Sequence, residues 1–247
     1  MPRSAMLVAV FLFLSLGAAL ASAQIPDKFT NLKVFPADTP KRELVDRMRE
    51  FTGALGVRCN HCHVGQDPNS LEGYDVASDD KETKRVARAM LQMAREINSH
   101  LLPTTGRQSP MEVRCVTCHR GVTKPQTLDQ LLTAEIAKGG VPAATARYRE
   151  LRQQYYGSGS YDFGPRALNS VAENLARGQN NVDGAIEVAK LNVEFNGDKG
   201  ESHLGLAGLY ATKGDKDAAI ACIERALAIN PEDGRAKQML ERVRSGK

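Results

Sequence analysis

Apolar side chains first fall into a helical rhythm at Leu44, Met48, Phe51 and Leu55. Spacings of four, three and four put them on one face of an α-helix. Thr39 can cap that helix, Pro40 fits its first turn, and Gly56 can end it. A polar stretch over 64–78, punctuated by Gly65, Pro68, Asn69 and Gly73, reads as a loop. Asp79 with Glu82 resembles the capping box of a second helix. Its apolar face runs through Val86, Met90, Met93, Ile97 and Leu101, and Pro103 stops it. Further helices are expected over 128–138 and 142–155, separated by Gly139-Gly140. Gly157-Ser158-Gly159-Ser160 then reads as a turn or hinge.

Beyond residue 162 the chain repeats itself with a period of 34 residues. Leu175 recurs as Leu209, Asp183 as Asp217, Ala185-Ile186 as Ala219-Ile220, and Asn196 as Asn230. Val193 and Phe195 recur as Leu227 and Ile229. The second copy also carries Leu206-Ala207, Tyr210, Ile223, Ala226 and Pro231, similar to the tetratricopeptide pattern of that period. Each such unit is a helix pair that buries its apolar face on a neighbour. Two repeats fall short of the usual three, so the helices at 128–155 and 232–245 are expected to cap the stack. Cys222 takes the place of Val188 and reads as a small core residue. The fold class expected is mainly α.

The first 23 residues have a different character. Arg3, an apolar run from Met6 to Leu20 and the small residues Ala21-Ser22-Ala23 form a secretory leader, with Gln24 as the new N-terminus. The run is shorter than the roughly 20 residues that span a bilayer. An exported or periplasmic chain with no membrane span after cleavage is therefore expected. Composition is ordinary for a globular protein, with 42% hydrophobic and 25% charged residues, which excludes disordered and collagen-like classes. The net charge of +4 is too small for a nucleic-acid footprint.

Export permits disulfides, but the cysteines are spaced for other chemistry. Cys59-Asn60-His61-Cys62-His63 and Cys115-Val116-Thr117-Cys118-His119 are two copies of C-x-x-C-H, the haem attachment pattern. Two thiols three positions apart meet the two vinyl groups of one porphyrin as thioethers, and the histidine that follows reaches the iron. A four-thiolate zinc site would use the cysteine pairs but gives no reason for a histidine after each. Cys59, Cys62, Cys115 and Cys118 are thus the expected thioethers of two haem c groups, and His63 and His119 the proximal ligands.

The far face of each iron needs a ligand, and methionine is the usual partner in electron-transfer cytochromes. Met48 lies on the apolar face of its helix, 11 residues before Cys59. Met90 and Met93 lie 25 and 22 residues before Cys115. Met48 is the candidate for the first iron, Met90 for the second, with Met93 as its rival. His61 lies inside the first attachment loop and is not expected to bind iron. His100 is the one further histidine placed to do so, and a surface position is expected for it. His203 belongs to the repeats.

The stretch from Asn31 to Gly121 resembles the cytochrome subunit of the photosynthetic reaction centre and exported cytochromes built on that module. The resemblance rests on Asn31-Leu32-Lys33-Val34-Phe35-Pro36, on Arg47-Met48-Arg49-Glu50-Phe51-Thr52 leading to Cys59, on Ala87-Arg88-Ala89-Met90-Leu91-Gln92-Met93, and on Cys118-His119-Arg120-Gly121. In that family each unit is a helix carrying the axial methionine, a turn, then C-x-x-C-H. The resemblance implies Met48 for the first haem and Met90 for the second. The family's reaction-centre subunit holds four haems, whereas this chain has motifs for two.

The expected organisation is a leader at 1–23, a dihaem cytochrome c domain at 24–125, a helical connector at 126–162 and tetratricopeptide-like repeats at 163–247. The expected role is electron transfer between redox partner proteins, docked in part through the repeats, with no substrate chemistry. Two rivals are a dihaem peroxidase-like enzyme and a repeat scaffold in which haem is structural. A modular reading also expects a chain ending near Pro125 to keep both haems unchanged.

Overall fold

The computed structural model describes residues 25–65, 67, 73–106 and 112–246. The leader expected at 1–23 lies outside them. Helices in chain order are α1 (Lys41–Leu55), α2 (Glu82–Glu96), α3 (Cys115–His119), α4 (Leu128–Tyr155), α5 (Pro165–Glu173), α6 (Val182–Asn196), α7 (Gly200–Lys213), α8 (Lys216–Ile229) and α9 (Gly234–Ser245). Among the described residues there is no β-strand beyond an isolated bridge between Val64 and Asp75. The mainly α expectation holds.

The described residues form two compact units, one drawn from 25–49 and 58–106, the other from 50–57 and 112–246. These units do not run along the expected boundary at 125: the second attachment motif shares its unit with the helices that follow. α1 contributes residues 41–49 to one unit and 50–55 to the other.

In the first unit α1 begins after Pro40 as expected, with Leu44 buried and Met48 half-buried. α2 starts differently from the capping-box expectation. Lys81 is its N-cap and offers no side-chain bond. Asp79 instead lies among cations: its carboxylate meets Lys33 Nζ at 2.6 Å, Arg88 Nη1 at 2.6 Å and Lys84 Nζ at 3.3 Å, and accepts from Asn31 Nδ2 at 2.9 Å. The Asp79 carboxylate is thus engaged by three cations and not by the helix amides. The loop before α2 is closed by Asp75, whose carboxylate accepts the Ala77 and Ser78 amides at 2.9 and 2.8 Å.

In the second unit α4 is two helices joined at Gly140, whose φ of 73° and ψ of −174° break the helical path where Gly139-Gly140 stands in the sequence. Leu128, Leu132, Tyr148 and Leu151 of α4 pack with Leu168 and Val171 of α5 and Ala185, Val188 and Ala189 of α6 in one core. α7, α8 and α9 enclose a second core around Leu204, Ala207, Ile223, Ala226 and Ala236. α5 with its π turn and α6 form one repeat, and α7 and α8 the next. Ala185 and Ala219, one period apart, are both fully buried. Cys222 is half-buried against both cores, and burial raises its thiol pKa. The repeat carries a further signal: Asn181 and Asp215, also one period apart, cap α6 and α8 by accepting the Gly184 and Ala218 amides at 2.9 and 3.1 Å.

Candidate functional site

The first C-x-x-C-H segment winds as a single 3₁₀ turn over Cys59–His61. The Cys62 and His63 amides both donate to the Cys59 carbonyl, at 3.2 and 3.0 Å. Such a tight turn sets the two thiols and the histidine by backbone alone. The start of α2 pins it from outside: Lys81 Nζ donates to the Asn60 carbonyl and Thr83 Oγ1 to the His61 carbonyl. Lys84, 8% exposed, then ties the preceding loop by donating to the Val76, Ala77 and Ser78 carbonyls at 2.9, 3.0 and 2.6 Å. Lys81 and Thr83, at the start of α2, thus hold the attachment loop itself, which only the structure shows.

His63 Nδ1 is buried without a close hydrogen-bond partner. Burial lowers the His63 pKa, the positive charge of Lys84 adds to this, and a hydrogen-bonding contact of the imidazole with the Val76 backbone, looser than the one His119 makes, offsets part of it. The imidazole is therefore kept neutral, the form that binds a metal. Burial raises the Cys62 pKa against the opposing pull of Thr83 and the charges of Lys81 and Lys84.

The second C-x-x-C-H segment is the short helix α3, closed at its start by the Arg114 amide donating to Thr117 Oγ1 at 3.0 Å. An ion pair joins Arg114 to Glu50 at 3.0 Å. Cys115 is half-buried, and burial raises its pKa. His119 Nδ1 donates to the Val122 carbonyl at 2.9 Å. That bond fixes the tautomer and leaves Nε2 as the free lone pair. An open cleft of about 350 Å³ adjoins this segment, lined among others by Gly56, Gly121, Val122, Leu151 and Tyr155.

The remaining candidates fall on two helices. Met48 is half-buried on α1, in the same unit as Cys59, Cys62 and His63. Met90 and Met93 share an exposed apolar face of α2 with Val86, all four-tenths to one half exposed. They belong to the first unit, and Cys115, Cys118 and His119 to the second. His100 is on the surface, 3.7 Å from the Glu96 carboxylate. His203 is buried in the repeats, with Nε2 3.0 Å from the Gly197 carbonyl.

The donors fit covalently attached haem. All five cysteines are free thiols. Among the described residues no three His, Cys, Asp or Glu side chains converge as ligands for a bare ion. Each cysteine pair instead precedes a histidine held neutral by burial or freed at Nε2 by a hydrogen bond. The exposed face of α2 is apolar enough to lie against a porphyrin. Among the described residues no helix is long and apolar enough to cross a membrane.

A helical chain with paired thiols and adjacent histidines of this kind is a c-type cytochrome, a class that carries haem through thioether bonds. It belongs to the photosynthetic reaction centre cytochrome c subunit family, whose model matches residues 22–150. It is similar to the photosynthetic reaction center cytochrome c subunit of Rubrivivax gelatinosus, 28% identical over 130 residues, which is 44% of this chain and 32% of that protein. It is also similar to cytochrome c-554 of Chloroflexus aurantiacus, 34% identical over 68 residues, 28% of this chain and 14% of that one. The chain thus spans a third or less of the length of these relatives. Among solved structures, the first TPR of Spaghetti (RPAP3) bound to an HSP90 peptide superposes with a TM-score of 0.33 at 16% identity, covering 48% of this chain and 89% of that one. So loose a superposition carries no weight here; the repeat reading stands on the 34-residue period and the helix pairs.

Proposed function

We propose that this chain is an exported dihaem c-type cytochrome that passes electrons between redox partner proteins. Haem, when bound, supplies a one-electron iron couple. Cys59 and Cys62 would hold one group and Cys115 and Cys118 the other. His63 and His119 would offer Nε2 to the irons. Met48 and Met90 would complete the coordination, with Met93 as the alternative to Met90. A thioether sulfur favours reduced iron, and a filled sixth position leaves no place for substrate, in keeping with an electron carrier and not an enzyme.

The observation that carries this reading is the bond from His119 Nδ1 to the Val122 carbonyl. A backbone acceptor on one ring nitrogen is the usual support of a metal-binding histidine, and here it stands directly after a C-x-x-C pair. In this reading the helices after residue 126 dock partners, since helical repeats expose extended surfaces for protein contact. The chain would act in the periplasm or another exported compartment, after loss of residues 1–23. Intact-mass measurement on the exported protein tests the proposal: two added haems on a chain beginning at Gln24 are expected. A mass equal to the bare polypeptide, or to one haem, contradicts it.

A further inference from the structure

We propose that Ser160, in the loop after α4, is a positioning residue for His119 and thereby tunes the second haem; the inference rests on the reading of His119 as an iron ligand. Ser160 is 3% exposed, and its hydroxyl donates to the Arg120 carbonyl at 2.6 Å. The amide of the same peptide group, Gly121 N–H, donates to the Ala54 carbonyl at 2.8 Å. One peptide plane is therefore held at both ends, by the last turn of α1 and by the loop after α4. Both flanking residues have left-handed backbones, Arg120 at φ 49° and Gly121 at φ 88°. That conformation is uncommon for a non-glycine residue and persists only where its surroundings impose it.

Val122 follows directly. It is buried, its amide donates to the His119 carbonyl at 3.0 Å, and its carbonyl accepts from His119 Nδ1. The imidazole is thus aimed by a three-residue turn whose leading peptide is clamped by Ser160. The fit is close on the other side too: a Cβ at Gly56 would come 2.2 Å from the Gly121 carbonyl oxygen. Ser160 is itself held, since its amide donates to Ser158 Oγ at 3.2 Å and the Ser158 hydroxyl donates to the Tyr155 carbonyl at 2.7 Å. Ser160 lies beyond the residues matched by the family model. The C-terminal part of the chain would thus tune a haem bound by the family module.

A firm Nδ1–H···O=C bond makes the imidazole a stronger donor and favours oxidised iron. In the full-length haem-loaded protein, Ser160→Ala should loosen that bond. One of the two reduction waves should then shift toward easier reduction, by roughly threefold in its reduction equilibrium. The other wave should stay in place. Leu168→Ala, buried in α5 of the same unit, serves as a control that weakens the unit without touching the turn, and should move neither wave. The proposal is overturned if Ser160→Ala moves neither wave, if it moves both alike, or if the control reproduces its shift. A parent chain carrying one haem by intact mass removes the reading of His119, and the proposal with it.

Discussion

The two attachment segments share one sequence pattern and differ in nearly everything around it. The first is a 3₁₀ turn pinned by Lys81 and Thr83 at the start of α2, with His63 buried beside the Val76 backbone. The second is a short helix whose histidine is held at Nδ1 by Val122 and whose following turn is clamped by Ala54 and Ser160. The first lies among the charges of Lys81, Lys84 and Arg88. Positive neighbours disfavour oxidised iron, whereas a firm Nδ1–H···O=C bond such as that of His119 favours it. Equal motifs can therefore hold haems of unequal potential, with the surrounding shell deciding the order.

The largest expected effect comes from the distal ligands. Met48→Ala should lower the potential of one haem and Met90→Ala that of the other. Each shift should be on the order of a hundred millivolts, because axial ligands set haem potentials over a range of about 0.8 V. Each variant should also lose about half of the weak methionine–iron band in the red spectrum. If Met93→Ala alters the spectrum and Met90→Ala does not, the ligand on α2 is Met93. If both methionine variants move the same haem, the assignment of one methionine to each centre fails.

A smaller effect should distinguish the first unit by its acid sensitivity. Arg88 first, then Lys33, hold the Asp79 carboxyl well below the usual carboxylate range. Its folded pKa is thus depressed below the unfolded value of about 3.9. The stabilisation it provides is full above that value and is lost as the pH falls below about 4, because the unfolded chain takes up the proton first. Thermal melts between about pH 5 and pH 2 should show this slope, and Asp79→Asn should flatten it while lowering the melting temperature at neutral pH. An unchanged slope in Asp79→Asn would leave the cation cluster without a role in holding the α2 start.

Much of this was legible in the sequence because it depends on local spacing. The apolar period of α1, the stop at Gly56, the break at Gly140 and the 34-residue repeat are all properties of neighbouring residues. The shells of the two centres are not. Asp79 has the residue type and spacing of a helix cap, yet Lys33, Lys84 and Arg88 outcompete the helix amides for its carboxylate. Gly157-Ser160 has the composition of a hinge, yet Ser160 is buried against a carbonyl 40 residues earlier. Such bonds join residues far apart in the chain, and no periodicity announces them. Gly121 after His119 was the one local sign, since a glycine there permits the left-handed turn on which Ala54 and Ser160 close.

The most direct test of the unequal-shell account is an optical redox titration of the whole haem-loaded protein, with the waves assigned through Met48→Ala and Ser160→Ala. The account predicts two one-electron waves, the higher moved by Met48→Ala and belonging to the Cys59–His63 haem, the lower moved by Ser160→Ala and belonging to the Cys115–His119 haem. Two superposed waves, or the opposite order, would contradict it.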